Sequence, residues 1–246
     1  MKQTEALLEC VGLSMKRLGI IGGLGPETSC KFCLNINTKL RELKACQPDI
    51  VMENIPVSLE AEKKIVNGVQ ETEHLGLILR ALEKLNKADV DIIAIPCNTV
   101  HVFLPELREL SKAPILSIME ECAKVCEKMG LKKVGLLASA TTIKAKLHGN
   151  ELNKQNIAVL VPSEADQNAV NRIILKITNG IATESDKKGL LAIIDNMKNQ
   201  GAEAVILGCT DLQLLVSKAS LPLIDTCTVL ENAVVQLLAG DKHGTA

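Results

Sequence analysis

Two cysteines lie in matched surroundings, Pro96-Cys97-Asn98-Thr99 and Gly208-Cys209-Thr210-Asp211. Each comes after an apolar run, residues 91–95 in one case and 204–207 in the other, that reads as a buried parallel strand. Ligands of open α/β sheets bind at the carboxyl ends of strands, so both sulfurs are expected at a functional edge. The segment after each cysteine reads as a helix start, whose backbone N–H groups favour the thiolate and lower the thiol pKa. Asn98, Thr99 and Thr210 add side-chain donors for a bound carboxylate. Two sulfurs facing each other across a small ligand suit one reaction in particular. A thiolate removes a proton from one face of a carbon, the opposing thiol returns one to the other face, and the centre inverts. The pair must then be held in complementary protonation states. An amino-acid α-proton is very weakly acidic, so fixed donors at the carboxylate are also needed. No lysine motif for a pyridoxal Schiff base is evident, and no cofactor is expected. Accessible thiolates of this kind are expected to be sensitive to alkylation and oxidation.

Other chemistry-bearing residues are less specific. Gly22-Gly23-Leu24-Gly25 lacks the G-x-G-x-x-G spacing of a dinucleotide loop, because Thr28 stands where the third glycine belongs. It reads as a tight turn whose N–H groups, Gly25 included, face the cleft, with Thr28 or Ser29 supplying a hydroxyl. His101 lies four residues after Cys97, either orienting the site or satisfied in the core. His74, His148 and His243 have no partner pattern and read as ordinary. Cys30 and Cys33 form a C-x-x-C without the second half of a zinc site. Cys10, Cys46, Cys122, Cys126 and Cys227 read as small hydrophobes. No metal site is expected.

These residues must be positioned by alternating strands and helices. Strands are expected at 15–25 (running into the glycine turn), 50–55, 91–95, 115–118, 133–138, 157–161, 204–207 and 223–224, with a leucine-rich helix at 75–85. That alternation means an α/β chain with parallel sheets. KRLGIIGG (16–23) resembles KKVGLLAS (132–139), and ADVDIIAIPCNT (88–99) resembles QGAEAVILGCT (200–210). The offsets agree: Gly19 and Gly135 are 116 residues apart, Cys97 and Cys209 are 112 apart. The direct reading is a duplication. It gives two pseudo-symmetric lobes, each a mostly parallel sheet flanked by helices, with the active site in the cleft between them. Residues 15–114 plus 223–246 are assigned to the first lobe and 115–222 to the second, with 1–14 as an N-terminal extension ahead of Met15.

Composition excludes several classes. The chain of 246 residues has 47% hydrophobic and 23% charged residues and a net charge of −1, which leaves no electrostatic footprint for nucleic acid. Phe32 and Phe103 are its aromatic residues, so a base-stacking platform is missing. No apolar run reaches the roughly 20 residues of a membrane span. No leader pattern precedes the nine cysteines, so free thiols and a cytoplasmic protein are expected.

The motifs resemble those of the aspartate/glutamate racemase family. PCNTVH (96–101) and GCTDL (208–212) look like its two signatures, and GGLGPETS (22–29), LLASATT (136–142) and PLIDT (222–226) resemble further segments. The resemblance implies cofactor-independent amino-acid racemisation, usually by a homodimer, with Cys97 and Cys209 as the acid–base pair. It implies that Asn98, Thr99 and Thr210 hold the α-carboxylate or amino group, and that Ser139 and Thr142 line the opposite wall. Asp211 stands where the family often has Glu, Ser29 where it has Thr, and His148 where it has Tyr. Aspartate-specific members carry an arginine that NIPVSLEAEKK (54–64) lacks, and Thr178 replaces a lysine. Lys63, Lys64 or Lys176 could supply the missing cation, and aspartate, glutamate and a less acidic amino acid stay open as substrates. Alternatives are a maleate isomerase-like or other cysteine enzyme of the same superfamily, or a non-catalytic amino-acid binder.

Overall fold

A computed structural model describes residues 16–44, 46–69 and 72–240. The expected extension at 1–14, Cys10 and His243 lie outside the described residues.

The first sheet has the order β2-β1-β3, all parallel, from β1 (Leu18–Gly22), β2 (Ile50–Asn54) and β3 (Ile92–Ala94). Every residue of β1 is buried, as a strand covered on both faces must be. On one face, Ile21 and Ile93 pack against Ile78, Leu82 and Leu85 of α3 (Thr72–Lys87) and Leu107 of α4 (Leu104–Leu110). On the other, Leu18, Ile20 and Ile92 meet Phe32, Ile36 and Leu40 of α1 (Pro26–Lys44). Helix α1 starts where the sequence invites it. Pro26 occupies the first turn, where no N–H partner is lost, and Glu27 sits at the positive end of the dipole. A short helix α2 (Leu59–Val66), capped by Ser58, comes after β2.

The second sheet repeats the first. β4 (Lys133–Ala138) lies between β5 (Ala158–Leu160) and β6 (Ala204–Gly208), and β7 (Leu223–Asp225) adds to β6. Register agrees with the duplication: Gly19 pairs with Ile93 in the first sheet, and Gly135 with Val205 in the second. Helices α8 (Glu164–Thr178) and α9 (Glu184–Asn199) cover one face through Val170, Ile174, Leu190 and Ile194. The other face meets Leu152 of α7 (Leu147–Lys154) and Cys126 of α5 (Ile118–Lys128). Helix α5 serves both lobes, since Cys122 packs in the first core and Cys126 in the second. Between β4 and α7, Ser139 caps the single-turn α6 (Ala140–Lys144).

Two expectations need correction. Residues 115–118 form one isolated bridge, Ile93 to Ile115, rather than a strand. Ser117 ends it by capping α5, its hydroxyl accepting from the Glu120 N–H. Residues 223–246 do not all join the first lobe. β7 pairs with β6 in the second sheet, where Ile224 joins the second core. Only the next helix, α10 (Thr226–Ala239), returns, packing Leu230 and Val234 beside Leu18 and Phe32. The chain therefore crosses between lobes at Asp225–Thr226.

Candidate active site

The carboxyl ends of β1, β3 and β6 face a shared cavity of about 280 Å³ between the two sheets. Cys97 and Cys209 both line it, one from each lobe, with Asn98, Thr99, Thr210 and Asp211 beside them. The two sulfurs are close enough that ionising Cys97 opposes ionisation of Cys209. Each is held at a strand end by the turn immediately after it. The N–H groups of Thr99 and Val100 point at the Cys97 sulfur, and that of Asp211 at the Cys209 sulfur.

Those donors do not lower the thiol pKa values as the sequence leads one to expect. Loss of water dominates: it pushes Cys97 up to about 12 and Cys209 well above the ordinary thiol range. Nearby carboxylates add to the effect, Asp211 and Glu62 on both sulfurs. Burial therefore favours the thiol form of both cysteines.

Asp211 links the second motif to the N-terminal loop. Its carboxylate accepts a short hydrogen bond from the Thr28 hydroxyl and a long one, 3.9 Å, from the Cys209 thiol. Burial raises its pKa, against the Thr28 bond that lowers it. Gly25 has φ +88°, and a Cβ there would stand 2.8 Å from Asp211 Oδ1, so the loop needs glycine for both reasons. Ser29 turns inward instead, donating to the Gly25 carbonyl and accepting from the Gly23 N–H. Gly25 and Ser29 thus shape the loop rather than line the cavity, and Thr28 holds Asp211.

Asn98 lines the cavity but its amide is engaged behind it. Its Nδ2 donates to Thr226 Oγ1 at 2.9 Å, and its Oδ1 accepts from His148 Nε2 at 2.8 Å. Thr226 in turn donates to the Leu207 carbonyl at 2.8 Å. Burial takes the His148 pKa down to about 3, so the ring is neutral and carries its proton on Nε2. His148, read from sequence as ordinary, is thus a fixture of the first cysteine turn. Thr210 donates to the Pro96 carbonyl at 3.2 Å and so ties the two turns together. The backbone N–H groups of Asn98 and Thr210, each immediately after a cysteine, have no hydrogen-bond acceptor among the described residues.

Ser139 and Thr142 do not line the cavity. Ser139 caps α6, bonds Thr99 Oγ1 at 2.9 Å and Thr142 Oγ1 at 3.0 Å, and backs the first turn from the second lobe. His101 is likewise set behind the wall. Its Nδ1 donates to the Cys97 carbonyl at 2.8 Å and its Nε2 accepts from the Ile118 N–H, with burial holding its pKa down at about 4. It is a satisfied neutral histidine that fixes the Cys97 backbone.

Glu62, which carries no sequence signal, and His74, which reads as ordinary in the sequence, both line the cavity. Their helices α2 and α3 reach the site only through tertiary packing, and a lone Glu on an amphipathic helix carries no signal. Thr178, also on the wall, stands where the family resemblance implies a lysine. None of the suggested substitutes reaches the cavity. Lys176 pairs with Asp186 at 2.6 Å, Lys64 with Glu60 at 3.5 Å, and Lys63 is exposed. Cys122, Cys126 and Cys227 are buried in the cores, while Cys30 is exposed. No cluster of metal-ligating side chains occurs among the described residues, and no helix among them is long and apolar enough to cross a membrane.

Comparison with known proteins agrees with this architecture. Residues 21–234 match the sequence profile of the Asp/Glu/hydantoin racemase family. The broad specificity amino-acid racemase RacX of Bacillus subtilis (strain 168) is 27% identical over 225 residues, covering 89% of this chain and 96% of that protein. The structure of an aspartate racemase homologue from Pyrococcus horikoshii OT3 superposes with a TM-score of 0.73 at 25% identity, covering 92% of this chain and 100% of the other. The Picrophilus torridus aspartate racemase shares the fold, with a TM-score of 0.76 at 24% identity over 91% and 94% of the two chains. The chain belongs to the Asp/Glu/hydantoin racemase family and is a racemase, an enzyme of the isomerase class.

Proposed function

We propose that the protein inverts the α-carbon of an amino acid with two cysteines, Cys97 and Cys209, acting from opposite walls of the cavity and without a cofactor. The observation that carries this reading is the placement of both sulfurs, each at the end of an equivalent strand, on one small cavity between the lobes.

The N–H groups of Asn98 and Thr210 bind the α-carboxylate, since each immediately succeeds a sulfur and lacks an acceptor among the described residues. The α-ammonium brings positive charge into a cavity holding Glu62 and Asp211, and that charge favours a thiolate that burial disfavours. Asp211, placed to accept from Cys209, takes up the proton as the thiolate forms. From there the step balances. The Cα–H bond breaks and an S–H bond forms on one wall. The opposite S–H bond breaks and a new Cα–H bond forms on the other face. The two sulfurs exchange roles, ready for the reverse reaction. Action in the cytoplasm, as a homodimer, is part of the same reading.

Incubating either enantiomer of a substrate in deuterated water tests the reading. Both must converge on one racemic, α-deuterated mixture. Absence of α-deuterium from every amino acid tried, or turnover of maleate instead, rejects it.

A further inference from the structure

We infer that the side chain this site selects is a cation on an aliphatic stem, as in lysine or ornithine, with Glu62 as its counter-ion. The inference rests on the amino-acid racemase reading and names the substrate class of that site.

Charge is the first argument. The cavity wall carries two carboxylates, Glu62 and Asp211, and no lysine or arginine among the described residues. The lysines nearest in sequence to the expected cation positions are paired elsewhere or exposed. An aspartate or glutamate side chain would add a third negative group to a water-poor space with no fixed cation on its described wall, which is strongly unfavourable.

Glu62 is the second. Asp211 is committed to Thr28 and Cys209. The Glu62 carboxylate, half-buried, has no hydrogen bond or ion pair to any other described residue. Its charged neighbours, Asp211 and Glu27, are both repulsive, and with partial burial they raise its pKa. A carboxylate left facing a cavity in this way is a receptor for a cation.

Shape is the third. The same cavity that Cys97, Cys209 and Glu62 line has aliphatic wall residues, among them Leu24, Ile55, Val57, Ile65 and Ile174. Methylenes fit that wall, and a charged end group then meets the Glu62 carboxylate.

The test uses the full chain and compares L-lysine, L-ornithine, L-glutamate and L-norleucine, the last being lysine's neutral near-isostere. Rates of α-deuteration are read as kcat/KM, and binding of L-lysine and L-glutamate is read by calorimetry. Lysine or ornithine should exceed both norleucine and glutamate. Glu62→Gln should lower the lysine-to-norleucine ratio on the order of tenfold to hundredfold, the worth of one charge-assisted contact. Glu62→Arg should move preference toward glutamate. Preference of the native chain for glutamate, or an equal loss for lysine and norleucine in Glu62→Gln, would overturn the inference. If no amino acid exchanges its α-proton, the racemase reading fails. Lysine binding that is lost in Glu62→Gln would still uphold the ligand class, and its absence would sink that too.

Discussion

Asn98 donates to Thr226 at 2.9 Å, and Thr226 passes the contact across the lobe boundary to the carbonyl of Leu207, two residues before Cys209. The turn that carries one cysteine is thereby tied to the strand that carries the other. All three residues are buried, so no water replaces a lost partner. The two cysteine-bearing segments are thus linked through buried side chains as well as through their own sheets.

Thr226→Val keeps the volume and removes the hydroxyl. It leaves the Asn98 Nδ2 group without its acceptor and removes one donor from the Leu207 carbonyl, at a cost of about 1–3 kcal/mol in stability. Racemisation should fall at least tenfold while the fold survives, measured by denaturant unfolding beside racemase rate. Full activity in a destabilised Thr226→Val protein would show that the tether does not position the cysteines.

Gly25→Ala should damage the site from outside the cavity. The residue has φ +88°, and its Cβ would press on Asp211 at 2.8 Å. Backbone strain of this kind costs on the order of 1–3 kcal/mol, and displacement of Asp211 should slow turnover beyond what the stability loss explains. A thermal melt and a progress curve on the same sample decide it, with unchanged turnover the contrary result.

Thiol reactivity should depend on pH in a defined way. Burial and neighbouring carboxylates raise the Cys97 pKa to about 12, so the reactive thiolate is a minor species throughout the neutral range. Its population climbs about tenfold per pH unit below that pKa. Alkylation of Cys97 in the protein without substrate should therefore be slow at pH 7 and accelerate steeply toward pH 10. Peptide-resolved mass spectrometry distinguishes it from the exposed Cys30. Fast labelling of Cys97 at pH 7 with a flat profile above it would place the pKa in the low range that its helix-start position suggests.

Much of the fold was legible in the sequence because buried parallel strands announce themselves as short apolar runs. The duplicated pair of Gly19 and Cys97 with Gly135 and Cys209 survives as equivalent strand register. The lobe boundary was less legible. Leu223 and Ile224 are apolar in either sheet, and only pairing with Val205 and Ile206 decides for the second. The candidate cysteines could be read from their strand-end context, but their protonation could not. Local N–H groups are visible in sequence, whereas the depth of burial that outweighs them is a tertiary quantity. The placement of Glu62 and the Asn98 contact of His148 could not be read for the same reason: one helix is laid over the cavity, the other behind Asn98, by contacts distant in sequence.

The two-sulfur scheme is tested most directly by single replacements, Cys97→Ser and Cys209→Ser, assayed with separate enantiomers in deuterated water. Each variant should lose racemisation by several orders of magnitude. Each should still exchange the α-proton of one enantiomer, and the two variants should favour opposite enantiomers, because each retains the base on a different wall. Racemisation at the native rate in either variant, or exchange of the same enantiomer by both, would contradict the account.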